Sequence, residues 1–217
     1  MTIVKYDKYE CNFDADTQQI SAVIGSKKLQ TVFLDLVNDH ENYFPSQSIG
    51  ALSCESSEIA SLTLGDLISR QFKFHKKVSR KRSMLAVAEI LQFLGSGNIE
   101  DLKIGNLDEL QLANARLARA IALRPDVVLS WNYLSTMSAP VRALIASNIR
   151  NVHSEFGIGF LLFEQRRDVV KNLAEAQFDF HPARIQLERT LVHVEPPTLP
   201  SVKSSPDEIS GLDFVSS

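Results

Sequence analysis

The segment from Leu110 to Phe163 constrains the fold more than any other. Leu110, Ala113, Leu117 and Ile121 recur at helical spacing and form one apolar stripe. Arg124-Pro125 stops that helix, because a residue before proline is pushed out of the helical region. Val127 to Leu129 is then a short continuous apolar run, the pattern of a strand buried on both faces. Ser138 stands as an N-cap before Ala139-Pro140. Val141, Leu144, Ile145, Asn148, Ile149 and Val152 follow on the next helix, which Gly157 closes. Gly159 to Phe163 is another buried strand, and a helix through Val169, Val170 and Leu173 is expected after it. Two consecutive strand–helix–strand units imply a parallel sheet with right-handed crossovers.

The flanking sequence extends this α/β plan. Ile20 to Ile24 reads as a strand ending at Gly25, Thr31 to Val37 suits a helix, and a weaker β-like lead lies around Cys11 to Ala15. Ile49 to Leu52 is a further short strand. From Leu62 the character turns helical: Leu64, Leu67 and Ile68 share one face, and Met84, Val87, Ile90, Leu91 and Leu94 share another, ended by Gly95 and Gly97. The expected organisation is one domain over residues 1–195, with a helical subdomain at about 62–106, and a Pro/Ser-rich disordered tail over 196–217. No internal repeat is found.

Composition excludes several function classes. A net charge of −3 argues against bulk attraction to nucleic acid. No apolar run approaches the roughly 20 residues that span a bilayer. Met1 to Glu10 has no apolar core, so no signal peptide is expected. Cys11 and Cys54 give neither a disulfide framework nor a metal-ligand spacing, and a reducing cytoplasm is the expected compartment. His75, His153 and His181 have no ligand-like spacing either, so no metal is expected, and no cofactor is expected. The run Lys73 to Arg82 carries six Lys/Arg residues. It reads as a solvated face or as a surface for anionic headgroups near a membrane partner.

Six pieces in order give the region from about Phe13 to Phe180 a resemblance to the ATP-binding subunit of ABC transporters, a P-loop NTPase-like fold. Q-I-S-A-V-I-G at Gln19 to Gly25 resembles the strand into the phosphate loop. I-G-A-L-S-C-E at Ile49 to Glu55 resembles the strand into the Q-loop, and S-L-T-L-G-D-L-I at Ser61 to Ile68 the start of the helical subdomain. L-A-R-A-I-A-L-R-P-D-V-V-L at Leu117 to Leu129 is similar to the helix after the signature motif and the Walker B strand. S-A-P-V-R at Ser138 to Arg142 and E-F-G-I-G-F-L-L-F at Glu155 to Phe163 continue the match.

The resemblance also implies where nucleotide chemistry should sit, and those positions depart from the pattern. The phosphate loop is G-S-K-K-L-Q-T, Gly25 to Thr31, with Lys27 and Lys28 out of register and no second glycine. Lys28, Leu29 and Gln30 are expected to crowd a nest that phosphate needs empty. The Q-loop glutamine falls on Cys54, and the signature Ser-Gly-Gly on Asp108, Glu109 and Leu110, with Gln111 retained. The Walker B aspartate falls on Trp131, the general-base glutamate on Asn132, the D-loop aspartate on Ser138 and the switch histidine on Gln165. Two carboxylates at 108 and 109 would repel the γ-phosphate of an opposing site, or simply favour the start of a helix. About 24 residues precede Gly25, so an adenine-stacking subdomain is expected to be trimmed, with Tyr6 or Tyr9 as substitutes of unclear register.

Phosphoryl transfer depends on positioning and charge stabilisation, so loss of these parts together implies a chain that does not hydrolyse ATP. The resemblance implies an ATPase-subunit partner, as homo- or heterodimer, or a membrane permease, at the inner face of the membrane. The run Ser53 to Thr63 is loosely similar to capsular-polysaccharide exporters. Two other readings stay open. One is a divergent active ATPase using Lys27 or Lys28 for phosphate and Asp126 for metal. The other is a cytoplasmic scaffold that docks through its tail, with Asp207, Glu208 and Asp213.

Overall fold

The computed structural model describes residues 3–8, 11–16, 18–44, 46–53, 60–76, 78–180 and 190–191. Side chains are described for 18–44, 46–53, 60–72 and 78–180. Strands β1 (Ile3–Lys8) and β2 (Cys11–Asp16) pair antiparallel as a separate hairpin. The main sheet has the order β4-β5-β6-β3-β7-β8. Its strands are β3 (Ile20–Ile24), β4 (Ile49–Ser53), β5 (Val127–Trp131), β6 (Gly159–Glu164), β7 (Ala176–Asp179) and β8 (Thr190–Leu191). The first five of these run parallel, and β8 joins antiparallel at the edge.

Strand periodicity splits the core into two layers, because successive side chains leave opposite faces. Ile20, Ala22, Val128, Phe160 and Leu162 join one cluster with α5 (Glu109–Ile121) and α6 (Ala139–Phe156). Val23, Val127, Leu129, Trp131, Leu161 and Phe163 join the other with Leu29, Val32, Phe33 and Leu36 of α1 (Leu29–Asn38). A short helix, α2 (His40–Tyr43), follows α1. The strands α1 and α6 cover are uniformly buried, as their unbroken apolar runs require.

A hairpin of α3 (Leu64–Lys76) and α4 (Arg80–Phe93) packs on the first cluster through Leu64, Ile68, Phe72, Val87 and Leu91. A buried amide seam ties it to the sheet layer. Asn114 Nδ2 donates to Leu94 O at 3.1 Å and Ser96 Oγ at 2.7 Å. Asn148 Nδ2 donates to the same Leu94 O at 3.1 Å and to Asn114 Oδ1 at 2.9 Å.

Helix boundaries follow local chemistry. Asp108 Oδ1 accepts from Gln111 N at 2.8 Å while Gln111 Oε1 accepts from Asp108 N at 3.1 Å, a reciprocal capping box at the start of α5. Asp108→Ala is expected to cost about 0.5–2 kcal/mol, read as a lower urea midpoint at unchanged slope. Gly157, at φ 66°, ends α6 in the left-handed conformation that glycine adopts freely.

Three expectations need correction. The helix through Val169 and Leu173 is instead a 3-10 turn, Arg167–Val169, followed by further turns. Residues 165–175 must carry the chain from one edge of the sheet back to the other, past β3. A straight α-helix of that length rises only about 16 Å, the length of a strand, and leaves nothing for turns at its ends. Ser138 precedes α6 as expected, but its side chain does not cap that helix. Leu29 is fully buried in the second cluster, so it does not crowd the loop. The sequence reading of the tail over 196–217 lies outside the described residues.

Candidate functional site

Parallel strands deliver their following loops to one edge. Register places Ile24 beside Glu164 and Trp131 beside Phe163, so the loops after β3, β5 and β6 emerge together. The structure thereby gathers Gly25, Lys27, Lys28, Trp131, Asn132 and Gln165 at the carboxyl edge of the sheet. Cys54 lies outside the described residues.

The loop after β3 does not form a phosphate cradle. Its turn is tight, and α1 starts at Leu29. Leu29 N donates to Ser26 O at 3.0 Å, Gln30 N to Lys27 O at 3.0 Å and Thr31 N to Lys28 O at 3.1 Å. The N–H groups that a helix start offers to an anion are therefore spent on the loop's own carbonyls. Lys27, Lys28 and Thr31 are exposed around this turn. Beside it, a Cβ on Gly25 would lie 2.7 Å from Phe180 Cβ. Phe180 is buried and its N–H donates to Ile24 O at 2.7 Å, so the chain itself fills the space over Gly25.

Trp131 ends β5 at 2% exposure and belongs to the apolar cluster under α1. Asn132 follows at φ 46°, a left-handed conformation that asparagine tolerates better than most residues. Its N–H donates to Phe163 O at 2.7 Å. Gln165 is exposed in the bend after β6.

Glu164 occupies the centre of this edge, and sequence reasoning missed it. Its side chain is fully buried. Oε1 accepts from Leu134 N at 2.8 Å, and Oε2 accepts from Ser135 N at 3.1 Å and Ser135 Oγ at 2.6 Å. Burial pushes its carboxyl above the ordinary value, outweighing the pull of Ser135 and of the backbone donors at 133–135. The only signal in the sequence is an acid directly after the apolar run G-F-L-L-F. The loop after β5 is thus wound around a carboxylate from β6.

The signature-like positions are likewise committed within the chain. Asp108 and Gln111 cap each other. Glu109 Oε1 accepts from Ser138 N at 2.7 Å and Oε2 from Ser138 Oγ at 2.8 Å, so the start of α5 is clamped to the start of α6. The Ser138 backbone N–H, with its hydroxyl, holds the Glu109 carboxyl below the ordinary value. The helix-start reading of this acidic pair is what the structure displays.

Asp126 stands at the other edge. It precedes β5, and its Oδ2 accepts from Ser48 N at 2.7 Å and Ser48 Oγ at 2.8 Å. A strand length of about 16 Å separates it from Lys27 and Lys28. The structure does not bring these residues into one metal–phosphate site. Asp168 pairs with Arg166 at 2.6 Å, which holds its carboxyl below the ordinary value, and Asp179 pairs with Arg167. Among the described residues no group of three or more His, Cys, Asp or Glu side chains is placed to hold a metal. Among the described residues, the closed turn at the start of α1 and the buried indole of Trp131 do not fit the Mg²⁺–nucleotide that this fold family implies.

The five-strand parallel sheet, its helical layers and the inserted hairpin define an α/β P-loop NTPase-like fold of the ABC-cassette type. No protein-family model matches the sequence. The methionine import ATP-binding protein MetN of Bradyrhizobium diazoefficiens is 26% identical over 160 residues, 73% of this chain and 42% of that protein. MetN of Thermobifida fusca is 31% identical over 99 residues, 46% of this chain and 31% of that protein. The chain thus spans less than half the length of these relatives. Among solved structures, cbiO1 from Clostridium perfringens, part of the ABC transporter complex cbiONQ, superposes with a TM-score of 0.71 at 14% identity, covering 87% of this chain and 86% of that one. A dimeric bacterial ABC transporter cassette superposes with a TM-score of 0.67 at 15% identity, covering 82% and 88%. These relatives and structural neighbours are ABC transporter ATP-binding cassettes.

Proposed function

We propose that the chain is a non-hydrolysing ABC-type cassette serving a membrane transport system as a subunit or regulator. One observation carries the reading: the first turn of α1 is closed on the carbonyls of Ser26, Lys27 and Lys28, where a phosphate cradle needs open N–H groups. Trp131 and Glu164 support it, because one puts an indole and the other a committed carboxylate at the edge where metal and base would act. Partners in this reading are an ABC-type ATPase subunit, as homo- or heterodimer, and a membrane permease. No described helix is long and apolar enough to cross a membrane. The narrower form of the proposal is surface-polysaccharide export. It rests on Ser53 to Thr63, six of whose residues lie outside the described ones, while the relatives above are named import proteins.

Calorimetric titration with ATP, with and without Mg²⁺, tests the central claim. The expected result is no saturable heat at millimolar nucleotide. Micromolar affinity overturns the reading in favour of a divergent ATPase, although Asp126 at the far edge removes that alternative's metal ligand. Copurification separates the remaining alternative. A chain that recovers neither an ATPase subunit nor a permease is a scaffold outside transport.

A further inference from the structure

The sequence around the start of α4 concentrates positive charge that neither the fold nor the proposed function uses. Between Asp66 and Glu89 the sequence holds Arg70, Lys73, Lys76, Lys77, Arg80, Lys81 and Arg82 and no acid, in a chain whose net charge is −3. Arg80, Lys81 and Arg82 occupy the first turn of α4, all exposed. That is the end of a helix where the macrodipole is positive and acids are favoured. No acidic residue lies in this turn, and the N-cap Ser79 makes no side-chain cap. Asp66 relieves only Arg80, at 3.0 Å and at an exposed position. Lys81 and Arg82 therefore sit where local helix energetics disfavours them.

Leu85 adds an independent mark. It lies one turn beyond Lys81 and Arg82 on α4, and it is 57% exposed, the highest value among the exposed large hydrophobic residues of the described chain. Cations flanking an exposed leucine at a helix start match the interface of a bilayer, where the charge meets anionic headgroups and the apolar side chain enters the acyl boundary. The acidic balance of the whole chain disfavours nucleic acid as the occupant.

We infer that the start of α4 is a membrane-surface contact that binds anionic phospholipid through Lys81, Arg82 and Leu85. The inference does not depend on whether the cassette binds nucleotide. It gives the chain a lipid contact of its own, separate from any permease.

Cosedimentation with vesicles tests it, using phosphatidylcholine alone and phosphatidylcholine with phosphatidylserine. Binding is expected only to the anionic vesicles and is expected to fall as salt rises toward 1 M, where the Debye length is about 3 Å. Removing two cations in Lys81→Ala/Arg82→Ala should weaken binding roughly 25-fold, about fivefold for each charge. Lys81→Glu/Arg82→Glu should abolish binding while raising the melting temperature, because acids suit the start of α4. That opposite sign separates lost contact from lost folding. Leu85→Asn should weaken binding at high and low salt alike. Equal sedimentation with both vesicle types overturns the inference, as does unchanged binding of the charge-reversed variant. Capture by a soluble acidic peptide with no vesicle binding also overturns it, and assigns the turn to a protein partner instead.

Discussion

Trp131→Asp, the change that puts a carboxylate where the resemblance implies a metal-holding aspartate, is expected to unfold the protein rather than give an active ATPase. Trp131 is 2% exposed within the cluster of Val23, Leu29, Phe33 and Phe163. Truncating a buried tryptophan costs about 3–5 kcal/mol. An unpaired carboxylate left in that apolar space adds several kcal/mol more, on the order of the penalty for one buried ion. The sum rivals the whole stability of an ordinary domain, about 5–15 kcal/mol. Circular dichroism melts of Trp131→Asp, and of Trp131→Asp/Asn132→Glu, check this alongside a Mg²⁺-ATP hydrolysis assay. A double variant that melts within about 4 °C of the parent, a loss of only roughly 1–2 kcal/mol, and that turns over ATP would falsify the view that the scaffold has rebuilt itself around the indole. Trp131 is the chain's single tryptophan. In the parent its emission therefore follows the unfolding of this one edge.

Glu164→Ala is expected to be the second most damaging change. It removes the acceptor of Leu134 N, Ser135 N and Ser135 Oγ together. A stranded buried donor costs about 1–3 kcal/mol, and the half-buried Ser135 donors cost less because water reaches them, so a loss of about 2–3 kcal/mol is expected. Glu164→Gln keeps one acceptor oxygen and should lose less. The pH response has a definite sign. The folded carboxyl is raised above 4.5, so the folded state holds the proton more tightly than the unfolded chain. Its stability is undiminished below 4.5 and falls as pH climbs from there through the raised folded value. Glu164→Gln should abolish that decline. Glu109 and Asp168 act in the other direction, since their carboxyls are depressed from 4.5 and 3.8. Their contributions are present above those values and are lost as pH falls below them. Urea unfolding at a series of pH values separates the two windows. A Gln variant that keeps the parent's slope above 4.5 assigns that slope to another group.

The sequence revealed the frame because local rules decide it. The stripe Leu110, Ala113, Leu117 and Ile121, the break at Arg124-Pro125 and the run Val127 to Leu129 each depend on neighbours within a turn or a strand. Strand β7 escaped because A-Q-F-D carries too little apolar pattern to announce itself. It exists because Ile24 and its neighbours offer an unpaired parallel edge. At the candidate site, the chain shows directly that positions 131 and 132 carry no carboxylate, but not what surrounds them. Glu164 meets Leu134 across 30 residues, and Glu109 meets Ser138 across 29. Such pairings are made by the fold, and no spacing rule predicts them.

The seam of Asn114, Asn148, Ser96 and the Leu94 carbonyl has a mechanical consequence. Four groups share one junction where the hairpin, α5 and α6 converge, and the Tyr133 hydroxyl donates to Ala113 O at 2.5 Å beside it. Tilting the hairpin away would strand amide donors and acceptors from several elements at once, so any swing must break all of them or none. The junction therefore works as a latch: a tilt of the hairpin is resisted by α5 and α6 together.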